Sequence, residues 1–552
     1  MKPRSLLLLT LLFLGAVLNA QSGCFYYFFN QGAKALQSKD IEKWGEAELY
    51  FNAAYHCLEN NEKQKSQARE WKEKAKQQYI KAILEARDSV GRANELIKRQ
   101  SLISTALSWS FFAQEEAAKD SLHTALALAY EAYETVRKNP TPFSPLVQKS
   151  FGNTIYANSG IALKGHDNSI LEALISPDGA TALTRSRDNT VRVWDINTGE
   201  IITILEPHAG FIHAAAYSPD GSRIATASAD GSARLWSLEG LLLQEMKGHT
   251  DEVLAVAFAN DGRILTGSRD GTARLWDAEG RLLKVLEGHG APVLIVDFAR
   301  QGGKLLSATA QQVKVWSSDG SPYATLDGHR SYIYSARFSP DGSKVLTASA
   351  DSTAIIWAIS GERSATLEGH TGIVHNAWFS GDGQRVLTIS TDGSARVWAV
   401  TGGQLAELQG RTGLITSASF SPDGSKVVVV SKSKTAKLWD IQNLDSLSAI
   451  GLVGHSGEIL QALFGPNGDN LLTASRDRTA KLWDLKGHVI LNINGFTGPV
   501  LSTAFSPDGR HLLAASADNT AILCEEPESV YEQMSQNPPR LTEAQRKRFE
   551  MK

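Results

Sequence analysis

The sequence predicts two unlike domains: an α-helical hairpin domain over residues 21–139 and an all-β array of nine repeated units over residues 154–525. Three observations carry this. The hydrophobic period is three to four before residue 139 and two after residue 154. A unit of about 41 residues returns nine times in the second stretch. Turns of Asp-Gly or Asn-Gly type separate the short runs inside each unit, as the connections of a strand meander require. Length alone, 552 residues, would suggest roughly three or four domains; the repeat replaces that arithmetic.

The chain opens with Lys2 and Arg4, followed by an apolar stretch of about 14 residues from Ser5 to Leu18. That is short for a membrane span, and small residues follow it. It reads as a secretory signal over residues 1–20, which makes the protein exported: periplasmic, in the cell envelope or extracellular. An N-terminal anchor is the competing reading. Gln21-Ser22-Gly23 before Cys24 leaves an N-terminal lipid tether open, although such signals normally hold Leu where Gln21 stands. No later segment is apolar enough to span a bilayer. A formal net charge of −3 excludes a broadly basic surface that grips nucleic acid or anionic lipid by charge, so no nucleic-acid partner is expected. Three cysteines cannot build a four-Cys zinc site. Cys24 and Cys57 flank a helix–turn–helix bending at Ser38-Lys39-Asp40. A disulfide there would contribute about 3–4 kcal/mol, and two buried free thiols are the other reading.

In the helical stretch, apolar residues recur three or four apart, as in Ala47, Tyr50, Phe51 and Ala54, and in Trp71, Ala75, Tyr79 and Ile83. Leu122, Ala125, Leu126, Ala129, Tyr133 and Val136 repeat the pattern before Asn139-Pro140 stops it. Four or so helices packed as hairpins are expected. Ala47, Phe51 and Ala54 loosely resemble the second helix of a tetratricopeptide unit, over residues 30–63 only. Residues 140–153, with three prolines, read as a linker, and residues 155–163 as an extra strand-like piece.

The clearest repeat runs Gly248-His249, Val253 to Phe258, Asn260-Asp261-Gly262, Ile264 to Ser268, Asp270-Gly271 and Ala273 to Asp277. Each unit is a meander of four antiparallel strands that cannot bury both faces alone, so copies must stack. These motifs closely resemble the WD-repeat family. Its His slot holds His166, His208, His249, His289, His329, His370 and His455, with Arg411 and Phe496 in two units. Its Trp slot holds Trp194, Trp236, Trp276, Trp316, Trp357, Trp398, Trp439 and Trp483, with Cys524 in the last. The resemblance implies an all-β propeller, and in each blade a hydrogen-bond chain such as His249, Ser268, Asp270 and Trp276. A buried His–Asp pair with a Trp donor is satisfied only as a network, so these residues are structural. Units lacking a member, at Ala310, at Arg411 with Ser433, and at Phe496 with Cys524, should be the softer blades. The last unit ends at Cys524 without its outer strand. The piece before the first Gly-His is expected to supply it, closing all nine blades into one ring.

The tail, residues 526–552, is polar; Thr542 with Gln545 forms a capping box before a short basic helix. This tail and the helices before the repeats resemble segments flanking propellers in bacterial signalling ATPases. The ATPase motif is absent, since Gly302-Gly303-Lys304 runs into Leu305. No hydrolase, zinc or EF-hand spacing occurs. The Asp-Gly pairs are explained by hairpin turns rather than calcium loops. No catalytic residue, metal or cofactor is expected.

What remains is a binding face. The resemblance places the residue five beyond each His slot near the mouth of the central channel: Leu171, His213, Leu254, Leu294, Tyr334, His375, Thr416, Leu460 and Leu501. The residue before the turn Asp borders the same face, giving Arg187, Arg269 and Arg476. Buried anchors ringed by orienting charges suit a protein or peptide ligand; leucines packing on one another around the channel are the alternative. The expected function is an exported, non-enzymatic scaffold. A small-ligand sensor and an envelope enzyme centred on the channel are the other readings.

Overall fold

The computed structural model describes residues 90–117, 121–140, 144–409 and 414–549, with isolated positions 70, 73 and 77. The expected signal segment, Cys24, Cys57, the stretch expected to be tetratricopeptide-like and Arg411 lie outside the described residues. The chain divides into a helical unit, residues 1–154 with 534–552, and a β unit, residues 155–533.

In the helical unit, α1 (Val90–Ala117) packs on α2 (Leu122–Lys138). Helix α2 buries Ala125, Leu128, Ala129, Ala132, Tyr133 and Val136, whose small alanines admit a close neighbour. It stops at Asn139 because the residue before Pro140 is pushed out of the helical region. The expected linker is corrected: residues 144–159 form a third helix, α3 (Ser144–Ser159), and the strand begins only at Ile161. Three prolines suggested a break, but Pro145 falls in the first turn of α3, where its missing N–H costs no hydrogen bond. Ser150 Oγ of α3 donates to Ser110 O of α1 at 2.7 Å, and Phe151 stacks on Tyr133 at 4.8 Å. The tail holds two helices rather than one, α4 (Pro527–Gln536) and α5 (Glu543–Arg548). The capping box opens α5 as its spacing predicts. Arg546 and Arg548 then pair with Glu131 of α2 and Glu116 of α1 at 2.8 and 2.7 Å, so the chain's C-terminal helix is part of the helical unit.

The β unit is nine four-stranded antiparallel sheets. Blades 1 to 8 run over 170–204, 212–246, 253–286, 295–326, 333–367, 374–409, 415–453 and 459–493, each in sequence order from the innermost strand outward. Blade 9 takes three strands from 500–525 and its outer strand from Ile161–Leu163, in register Ile161↔Leu523 and Leu163↔Ala521. Blades 1 and 9 then meet through a shared core of Leu163, Ile170 and Trp194 with Leu513, Ala515 and Leu523, and Ser169 Oγ donates to Ala517 O at 2.9 Å. The ring closes as one circle of nine. Each Trp fills the gap toward the preceding blade: Trp236 packs on Leu183 and Val191, and Trp276 on Ala227 and Leu235. Burying a side chain of that size contributes about 2–3 kcal/mol, which is why the repeats stack and do not stand alone.

Candidate partner-binding face

The loops that form the rim are pinned from beneath. In blade 3, Trp276 Nε1–H donates to Thr266 Oγ1 at 2.9 Å, Thr266 reaches His249 Nε2 at 2.9 Å, and His249 Nδ1 meets Asp270 Oδ2 at 2.8 Å. A neutral imidazole protonated on Nδ1 satisfies every link of this chain once. Asp270 also accepts the backbone N–H of Thr250, tying the rim loop to the turn. Blades 1, 2, 5, 6 and 8 repeat the same three bonds within 2.7–3.0 Å. Burial lowers the pKa of His249 against the pull of Asp270. Burial opposes ionisation of Asp270 too, but donors from Thr272, His249 and the backbone outweigh it and hold that carboxyl at about 2.

This corrects one member of the expected network. The linking hydroxyl is Thr266, not Ser268. Ser268 sits at the strand end, where it donates to Asp251 O at 3.0 Å and accepts the N–H of Asp270 at 3.1 Å. It fixes the turn and is too far along the strand to reach the Trp.

Three blades depart from the pattern. Blade 4 keeps His289, Ser307 and Trp316, but with Ala310 in place of the turn Asp no carboxylate faces the ring. Burial and the charge of Lys314 push His289 down to about 4. Blade 7 keeps Trp439 while Val429 stands where the linking Thr belongs, and the buried Trp439 Nε1 has no acceptor. Blade 9 replaces His, Thr and Trp with Phe496, Ala514 and Cys524 in one apolar cluster and keeps the turn Asp518, which accepts the N–H of Gly498 at 3.2 Å.

The predicted mouth residues share a feature that sequence spacing did not show. In eight blades the residue five beyond the His slot is the extra residue of a β-bulge near the start of the innermost strand: Leu171, His213, Leu254, Tyr334, His375, Thr416, Leu460 and Leu501. A bulge leaves its extra residue outside the ladder and re-aims the side chain. Blade 4 differs: Leu294 precedes a strand that begins at Ile295, and its N–H donates to Ala308 O at 2.9 Å. Seven of the eight bulged residues are half-buried, and Tyr334 is 45% exposed.

Aromatic companions at the position three beyond the His slot were missed, although reading that column of the repeat would have found them. Tyr332, 42% exposed, lies against Tyr334 with ring centroids 4.8 Å apart. Phe211 meets His213 edge-on at 5.2 Å. The rim arginines are not bare cations. Arg269 pairs with Glu252 at 3.2 Å, and Glu252 also meets His213 of blade 2 at 3.1 Å. Arg476 pairs with Glu458 at 2.8 Å. Arg187 is exposed and makes no ion pair among the described residues. Burial lowers the pKa of the His375 imidazole. The face is thus uneven: acid–base pairs on blades 3 and 8, and Leu294, Tyr332, Tyr334, Ile373 and His375 on blades 4–6.

Deeper in the channel wall, Asp297 accepts the N–H groups of Phe298 and Phe338 at 2.9 and 3.2 Å, and Arg337 donates to Asn376 Oδ1 at 3.0 Å. These groups tie blades 4, 5 and 6 together. Among the described residues no three His, Cys, Asp or Glu gather as a metal site, and no helix is long and apolar enough to cross a membrane.

Two family models match the chain. The family model for the WD domain, G-beta repeat, matches residues 158–195, 199–237 and 240–277, and that for the first β-propeller of IFT122 matches residues 292–540. The sequence matches no curated relative. Among solved structures, the computationally designed protein Ika8 is similar at 23% identity and TM-score 0.48, covering 66% of this chain and 98% of its own. The C-terminal WD40 domain of Sif2 is similar at 20% identity and TM-score 0.49, covering 66% and 97%. From the matched repeats and the nine closed sheets, the chain belongs to the WD-repeat family as a nine-bladed β-propeller.

Proposed function

We propose that this protein is an exported, non-enzymatic scaffold that seats a protein or peptide partner on the bulged rim of its propeller. The observation that carries this is the row of inner-strand bulges, with the exposed Tyr332–Tyr334 pair on its apolar arc. A bulge frees its extra residue from the ladder, and Tyr is the residue type that anchors interfaces through a large rigid ring with a polar tip. In this reading the partner places an apolar group over blades 4–6, and the pairs Arg269–Glu252 and Arg476–Glu458 orient it from either side. Export is supported by Lys2, Arg4 and the apolar stretch to Leu18.

The test is a crosslinked pull-down from the native envelope fraction with the chain from residue 21, beside a variant carrying Leu254→Asp and Tyr334→Asp. Loss of an interface anchor costs about 2 kcal/mol or more, so the variant should melt as the parent does and lose the captured partner. The same partner held equally by both proteins would move the docking site off the rim. Capture of nothing by either would count against a scaffold and in favour of a ligand in the channel.

A further inference from the structure

The outer strands carry a second series of bulges, and their residues are not distributed evenly around the ring. In seven blades the outermost strand holds one extra residue opposite the Trp. In blades 1–4 it is Ile202, Leu243, Leu283 and Tyr323, exposed by 42, 46, 52 and 46%. In blade 5 the same place holds Ser364, in blade 6 the half-buried Leu405, and in blade 8 Ile490, which is buried. The residue before it repeats the asymmetry: Ile201, Leu242, Leu282 and Pro322 in blades 1–4, then Arg363 in blade 5. Adjacent members of the row are joined. A Cβ on Gly240 of blade 2 would meet Thr203 of blade 1, and one on Gly280 of blade 3 would meet Gln244 of blade 2. Large apolar side chains exposed in a row on four consecutive blades are the kind of surface that marks an interaction site.

A row of acids runs beside it. The turn leading into each of these outer strands presents an exposed carboxylate: Glu200, Glu239, Glu279 and Asp319. Of the bases nearby, Lys247 pairs with Glu245 at 2.7 Å and Arg281 with Asp277 and Glu279 at 3.6 Å, whereas Lys284 stands near Asp319 and Lys304 lies over the Tyr323 ring at 3.5 Å, so the acidic border is strongest on blades 1 and 2. Glu200 and Glu239 have no ion pair among the described residues.

From these parallel rows we infer that the perimeter of blades 1–4 is a docking surface, separate from the rim, for a basic amphipathic helix of a partner protein. Charge complementarity selects the basic partner: an acidic border repels anionic lipid and draws Lys or Arg beside an apolar stripe. Bulges select a helix over an added strand. They break the ladder where a new strand would pair, and Pro322 removes a donor from the edge of blade 4. What these strands offer is side chains, and a helix reads side chains.

The probe is a fluorescein-labelled helix of leucine and lysine heptads, titrated into the full chain by anisotropy. Binding should weaken about tenfold in the exposed double variant Leu243→Ser with Leu283→Ser, and by a similar factor in Glu200→Lys with Glu239→Lys. It should fall with added salt, and Tyr334→Asp on the rim should leave it unchanged. Absence of binding, or equal binding by parent and both perimeter variants, overturns the proposal. So does a concentration-dependent dimer of the parent that Leu283→Ser abolishes, which would make a second copy the occupant, or adsorption of the parent to phosphatidylglycerol vesicles, which would make it lipid.

Discussion

Blades 3 and 9 hold equivalent places in one ring and fill the same slots by opposite chemistry. In blade 3 every buried polar atom of His249, Thr266, Asp270 and Trp276 has its partner. In blade 9 Phe496, Ala514 and Cys524 bring no imidazole, hydroxyl or indole to be satisfied, and they pack with Leu491 and Ile493. Both solutions are consistent, because a polar network is sound when complete and an apolar core is sound when it has no polar member. Blade 7 stands between them. It has lost the linking hydroxyl at Val429 and kept the indole of Trp439, so a buried N–H is left without an acceptor. The blades expected to be soft are therefore the half-converted ones, blade 7 and also blade 4, whose buried His289 Nδ1 has no partner. The sequence expectation that all three departing units are soft is thereby sharpened to blades 4 and 7, which keep an unsatisfied buried polar atom in these slots, against blade 9, which does not.

Acid should break the comparison most widely, since it acts on seven histidines at once. The ring histidines have folded pKa values below 6.5, chiefly through burial. Below that value the unfolded chain binds protons that the folded chain refuses, so stability falls as pH falls, from about pH 6.5 toward 4. The turn carboxylates, held as low as about 2 in blades 2, 3 and 6, add their own loss below about pH 4. Hydrogen exchange corrected for intrinsic rates should show the amides of blade 3 losing protection between pH 7 and 5 before those of blade 9. Equal loss in the two blades would remove the histidines as the cause.

At a single site the largest effect belongs to Thr266→Val. It strands the Trp276 N–H and the His249 Nε2 together and should cost about 3 kcal/mol in chemical unfolding. The reverse exchange in blade 9, Ala514→Thr, places a hydroxyl among apolar neighbours and should also destabilise, by about 1–2 kcal/mol. A neutral result for either would mean that water enters these gaps and that completeness of the network does not govern blade stability.

Most of this architecture is legible in the sequence because it rests on periodicity. The His and Trp slots, recurring over nine units at nearly constant spacing, locate every blade, and the missing outer strand after Cys524 foretells the closure by residues before Gly165-His166. What escaped reading depends on a shift of one residue or on choosing between two hydroxyls. Thr266 and Ser268 lie two apart on one strand, and both belong to the residue types that the network needs. Only the depth of the Trp276 ring decides between them. The bulges at Leu254 and Leu283 are likewise invisible as pattern, since an extra residue in one strand changes register without changing composition. Helix α3 was hidden by the prolines around it. The rim positions were found by column, whereas their charge state was not: Glu252 and Glu458 neutralise Arg269 and Arg476 from a column that sequence reasoning passed over.

The smallest expected effect is the most informative about blade 7. Val429 pairs with Lys437 in the register that Thr473 holds against Lys481 in blade 8, so Val429→Thr sets a hydroxyl where Trp439 Nε1 needs an acceptor. The new O–H has the carbonyl of Lys437 in reach, as Thr473 Oγ1 has that of Lys481 at 3.3 Å. One orphaned donor is satisfied and no new orphan is made, which should stabilise the protein by about 1 kcal/mol in denaturant titration. Trp439→Phe removes the same donor by the apolar route that blade 9 takes, and it should be nearly neutral despite touching a core aromatic. If Val429→Thr destabilises while Trp439→Phe does not, blade 7 is further along the apolar route than its retained tryptophan suggests, and it behaves like blade 9.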